Sequence, residues 1–237
     1  MIKIKCIKLI IFLLCIVVPL LFNVNFINNN NNKKFININK NIDDINYNKI
    51  INNLKDTYNN EDIVGVLKIA DEIEVPILQT SNNDYYLNHS IEKKENIYGS
   101  IFLDYRTDIN NSKKLLIYGH SSIKTNIPFN TLENYYDKEY YENHKYISLI
   151  TNKEEKIYEI FSIYIELFDF SYMNINFIDN KDYCEHISSL KDKSLYDTKI
   201  ELKEDDEILI LQTCSNHEDY KNYDKKYLLI ILRRIDL

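Results

Sequence analysis

The chain has 237 residues and a formal net charge of -7, with its basic residues scattered. This balance argues against a nucleic-acid partner, and the length leaves room for one domain with a sizeable core. Only three glycines, three prolines and no tryptophan occur, so each glycine marks a place where positive φ or close backbone approach is needed.

In chain order, Lys3, Lys5 and Lys8 precede an apolar run from Leu9 to Phe22, extended by Val24, Phe26 and Ile27. No Ala or Gly supplies a small-residue cleavage site there. Residues 1–27 therefore predict an uncleaved signal anchor, a single-pass protein of the cell membrane and an extracytoplasmic remainder. Cys15 lies inside that run and reads as a membrane-buried thiol. Residues 28–41, rich in Asn and Lys, predict a flexible tether, and residues 42–237 the folded domain. Ile42, Ile45, Ile50, Ile51 and Leu54 recur at spacings that predict one amphipathic helix ending at Tyr58.

Short β-rich runs follow. Strands are expected over Ile63–Ile69, Val75–Gln79, Gly99–Asp104, Leu115–Tyr118, Tyr146–Thr151, Lys156–Phe168, Lys199–Leu202, Glu207–Thr213 and Tyr227–Ile235. The segment Asn82–His89 is polar and turn-like, and Pro128 opens a short helix through Tyr135. A long insertion between Phe170 and Thr198 carries a helix over Lys181–Leu190. Many strands, few helices and short connections predict a mainly β fold, a closed or nearly closed barrel.

Two of these strands end on chemistry. The apolar run Ile208–Leu211 leads through Gln212 and Thr213 to Cys214, and Leu115–Tyr118 leads through Gly119 to His120. A thiol and an imidazole at the mouths of buried strands form a nucleophile and acid-base pair: the imidazolium favours the thiolate and then protonates a leaving amine. His89, His144, His186 and His217 sit in polar or helical contexts and read as surface residues, with His217 at the rim of the Cys214 loop. No C-x-x-C or H-x-x-x-H pair supports a metal site, and no cofactor is implied. A Cys184–Cys214 disulfide is conceivable outside a membrane, but Cys184 is more simply a packed helix residue.

From Asp62 onward the chain resembles the sortases, membrane-anchored cysteine transpeptidases of Gram-positive bacteria, and among them class B. Ile210-Leu-Gln-Thr-Cys214 resembles the family's T-L-x-T-C motif, and Tyr118-Gly-His120 its histidine motif. Weaker matches run over Asp62–Ile69, Asn83–Leu87, Gly99–Asp104 and Lys193–Tyr196, and all three glycines fall on matching motifs. The helix before Asp62 and the helical insertion favour class B. The resemblance implies catalysis by Cys214 and His120. It also implies cleavage of a sorting motif in secreted surface proteins, and acyl transfer to an amine of a peptidoglycan precursor or a pilin. It fails at one position: where the family carries an arginine at the start of the last strand, this chain has Tyr227, with Lys226 beside it. Those two are the candidate oxyanion or substrate residues. Arg233 and Arg234 lie about 20 Å farther along an extended strand, and Arg106 falls in a surface loop. The alternative is an impaired relative that binds sorting signals without efficient turnover.

Overall fold

The structure, a computed structural model, describes residues 46–69 and 72–236. Helix α1 (Tyr47–Tyr58) leads into a closed barrel of eight strands: β1 (Ile63–Ile69), β2 (Ile73–Leu78), β3 (Phe102–Leu103), β4 (Lys114–Tyr118), β5 (Tyr146–Ile150), β6 (Glu155–Glu166), β7 (Ile208–Cys214) and β8 (Tyr227–Ile235). Around the barrel the order is β1-β2-β3-β4-β7-β8-β6-β5. Helix α2 (Lys138–Asn143) follows a 3-10 helix over Pro128–Tyr136, and α3 (Asn180–Asp192) fills the insertion between β6 and β7.

The unbroken apolar runs of the central strands follow from burial on both faces. Leu209 and Leu211 of β7 join Leu115 and Ile117 of β4 and Leu228, Ile230 and Leu232 of β8 in a cluster fed by every strand, which is the barrel interior. The alternate residues Ile208, Ile210, Leu116, Tyr118, Leu229 and Ile231 face outward, where Tyr183, Ile187 and Leu190 of α3 and Ile51 of α1 cover them. One strand therefore serves two cores.

Several expectations are corrected by local backbone chemistry. The strand expected over Lys199–Leu202 is absent, because Lys199 adopts a left-handed φ of 58° and its amide turns back to the Asp197 carboxylate at 3.1 Å. The strand expected from Gly99 shrinks to Phe102–Leu103, since Gly99 itself sits at φ +56°. The helix opened by Pro128 is 3-10 rather than α. Helix α2 was not anticipated, although Asp137 caps it by accepting from the Tyr140 amide at 3.0 Å.

The localisation is also corrected. Among the described residues no helix is long and apolar enough to cross a membrane; the longest, α3, has 13 residues, about 20 Å against the roughly 30 Å of a bilayer core. The expected single-pass anchor over residues 1–27 and the tether over 28–41 lie outside the described residues. The single-pass membrane assignment is therefore withdrawn.

The insertion is fastened to the barrel by a lysine. Lys114 is buried, and its Nζ meets the carbonyls of Tyr172 (2.7 Å) and Asn174 (2.6 Å) and Nε2 of His186 (2.7 Å). His186 is thus half-buried rather than on the surface. Burial, with the Arg106 charge behind it, brings the Lys114 pKa down to about 7, and burial beside Lys114 takes His186 to about 4. A neutral amine suits the site, donating to two carbonyls and accepting from an imidazole N–H. Because the unfolded lysine keeps its ordinary 10.5, the unfolded chain binds more protons between about 7 and 10.5. Stability should therefore rise with pH through that window and be lost as pH falls toward about 7. Urea midpoints measured from about pH 7 to 9 should show this rise, and Lys114→Met should flatten it.

Candidate active site

The parallel pairing of β4 with β7 builds the site. Tyr118 is opposite Gln212, and the Gly119 amide donates to the Gln212 carbonyl at 3.1 Å. His120 stands two residues beyond Tyr118 as Cys214 stands two beyond Gln212, so both arrive at the same end of adjacent strands, which lie about 4.8 Å apart. A side chain at Gly119 is not tolerated: its Cβ would lie 2.6 Å from the Phe129 ring, which is fully buried in the 3-10 helix.

His120 Nε2 lies 2.8 Å from the Leu87 carbonyl oxygen. A carbonyl only accepts, so Nε2 carries a hydrogen and Nδ1 is the atom left for proton exchange. Gly99 makes this contact possible, because a Cβ there would fall 2.6 Å from that same Leu87 oxygen and 2.3 Å from the Tyr86 oxygen. Next to His120, Ser121 Oγ donates across to the Cys214 carbonyl at 2.6 Å and accepts from Asn216 Nδ2 at 2.7 Å. These bonds tie the two strand ends together just beyond the barrel.

Cys214 has two unlike flanks. It pairs with Tyr227 across β7 and β8, and directly opposed residues share a face. That outer face carries phenols: Tyr227 packs edge-on to Phe170 at 5.9 Å, and the Tyr172 hydroxyl donates to Gln212 Oε1 at 2.7 Å. Burial, followed by the nearby Cys214, raises the Tyr227 hydroxyl pKa. The opposite flank is ionic. Glu133, from the 3-10 helix, accepts from the Asn216 amide at 2.7 Å, with Lys226 and the His217 ring near its carboxylate. Although Cys214 is exposed, the protein packed around its sulfur pushes the thiol pKa up; Glu133 adds to the rise and Lys226 opposes it.

The structure thus brings His120, Cys214, Lys226 and Tyr227 to one end of the barrel. The arginines are engaged elsewhere. Arg106 pairs with Asp104 (2.7 Å), Arg233 with Glu159 (3.1 Å) and Arg234 with Glu154 (2.6 Å), and Arg233 is opposite Ile208, the end of β7 far from Cys214. Cys184 and Cys214 are both free thiols. His217 is a rim residue, its ring 4.5 Å from that of Tyr136. Sequence reasoning missed Glu133 and the Leu87 carbonyl, which reach the site through the fold with no local motif. Ser121 and Asn216 were signalled only by adjacency to His120 and Cys214.

A family model for the sortase domain matches residues 67–231. Sortase B of Listeria monocytogenes is 38% identical over 167 residues, spanning 68% of this chain and 66%, just under two thirds, of that protein. Sortase B of Staphylococcus aureus is 30% identical over 178 residues, 74% of this chain and 71% of that one. The solved Staphylococcus aureus sortase B-substrate complex superposes with a TM-score of 0.70 at 28% identity, covering 79% of this chain and 85% of that chain. With the eight-stranded barrel and the helical insertion before the cysteine strand, these matches show that the chain belongs to the sortase family and is class B-like.

Proposed function

We propose that this chain is a cysteine transpeptidase that cleaves a sorting motif in secreted proteins and transfers the acyl group through a Cys214 thioester to an amine of the cell wall or of a pilin. The domain doing so runs over residues 42–237, after a tether at 28–41. The observation that supports the reading is the β4–β7 register, which ends the His120 and Cys214 strands at the same end of the barrel, with His120 Nε2 held by Leu87. In the proposed reaction the Cys214 thiolate attacks the scissile carbonyl. The His120 imidazolium then gives a proton to the departing amine as the C–N bond breaks, leaving a thioester and a neutral imidazole. The oxyanion is stabilised by Lys226, Tyr227 or both, in place of the family arginine. Relatives support the ligand classes: one solved sortase B carries a substrate and another is complexed with triglycine.

A specific observation favours a second reading, a sortase-like binder with poor turnover: the thiol pKa is raised rather than lowered. Intact-protein mass spectrometry after incubation with a library of sorting peptides separates the two. A transpeptidase shows an acyl adduct on Cys214 that disappears when triglycine is added. Peptide retained without any covalent adduct would establish the binder.

A further inference from the structure

Glu133, on the ionic flank of Cys214, has no part in the acylation chemistry and in part opposes it. Glu133 stands where a negative charge disfavours the thiolate, at the cost of the first half-reaction. Once the sulfur is acylated it is neutral, and that cost disappears while the carboxylate stays. Its position is built. Oε1 accepts the Asn216 amide at 2.7 Å, Asn216 Nδ2 donates to Ser121 Oγ, and Ser121 Oγ donates to the Cys214 carbonyl, so a chain of hydrogen bonds ties the carboxylate to the Cys214 backbone. Among the described residues Oε2 accepts no hydrogen bond, and Glu133 forms no ion pair within 4 Å.

We propose that Glu133 is the receptor for the acceptor's primary ammonium, so that the acceptor enters along the ionic flank while the sorting peptide occupies the phenolic flank. This inference rests on the transpeptidase reading. An amine arriving at neutral pH is protonated and must shed two protons to become an amide nitrogen. Glu133, whose pKa burial raises, takes the first and passes it to water. His120, left neutral by acylation, takes the second as the amine nitrogen bonds the carbonyl carbon and the C–S bond breaks. Cys214 thiolate and His120 imidazolium are thereby restored, and the amide is the product. The groups that act on the sulfur are Glu133 from the 3-10 helix, Lys226 just before β8, Tyr227 of β8 and Tyr172 from the insertion; His217 in the β7–β8 loop lies near Glu133, and His120 stands just beyond β4.

Glu133→Gln is isosteric and keeps an oxygen for the Asn216 amide. In the full chain, loaded with a sorting peptide, the variant should need about tenfold more triglycine for half-maximal transfer, with hydrolysis of the thioester taking the difference. Hydroxylamine, uncharged near neutral pH, should be used as well as by the parent enzyme. Iodoacetamide alkylation of Cys214 should move to lower pH, as removing a neighbouring anion requires. Equal loss with triglycine and hydroxylamine would mean that Glu133 only holds the loop, and unchanged triglycine use would remove it from acceptor binding; either result overturns the proposal. Failure of the parent enzyme to acylate at all would instead overturn the transpeptidase reading.

Discussion

Cys214→Ala abolishes both peptide cleavage and acyl-enzyme formation, and His120→Ala is about as severe, each lowering single-turnover acylation by about 10³-fold or more. The two losses match because, in the proposed reaction, a thiol whose pKa the protein raises needs His120 both to favour its thiolate and to protonate the leaving amine. Neither substitution should unfold the chain. Cys214 is held through its backbone carbonyl by Ser121, and His120 is partly exposed with one contact to Leu87. Cys184→Ala should keep most activity, since Cys184 is a free thiol on α3. Loss of all activity in a normally folded Cys184→Ala variant, read by the same acylation assay, would remove Cys214 as sole nucleophile.

Lys226→Ala lowers acylation by about 10²-fold, the usual cost of one oxyanion donor, if the ammonium has taken the place of the absent guanidinium. Lys226 is the cation that draws the Cys214 thiol down, and among the described residues it has no ion pair within 4 Å. Lys225, by contrast, lies over the Phe170 ring at 5.7 Å, and its removal should be tolerated. Tyr227 faces the sulfur from β8 and offers one neutral hydrogen bond. Tyr227→Phe therefore costs less than Lys226→Ala; a gain in Tyr227→Arg alone, whose guanidinium would meet the Phe170 ring, would instead mark a site impaired by its missing cation. No change in any of the three variants would place the electrophile on another residue.

The barrel and the two strands that end on His120 and Cys214 were legible because periodicity and motif both report on local sequence, whereas the parallel pairing of those strands came from the fold. The unbroken apolar runs of β4 and β7 demanded burial on two faces, and the His120 and Cys214 motifs stood at the ends of those strands. What stayed hidden depends on long-range contacts. Glu133 is 81 positions from Cys214 and looks like any helix carboxylate until the Asn216 amide closes on it. His186 read as a surface residue because only the fold supplies Lys114, 72 positions away. Lys199–Leu202 had strand composition, yet the Asp197 side chain captures the backbone first.

The barrel wall is uneven around its circumference. β6 and β8 are joined along nine paired positions, whereas β2 meets β3 at the single pair Leu78 and Phe102, and β3 meets β4 at two. Local opening starts where the fewest backbone bonds must part together, so amide hydrogens at Phe102 and Leu103 should exchange with solvent before those of β6, β7 or β8. The Ser100 amide donates to the Tyr86 carbonyl at 2.9 Å, so parting of this seam would loosen the Tyr86–Leu87 backbone to which His120 is tethered. The Cys214 strand, anchored in the strong part of the wall, would stay in place. The nucleophile is thus mounted on the stiff side of the cylinder, and its proton carrier leans on the side that breathes.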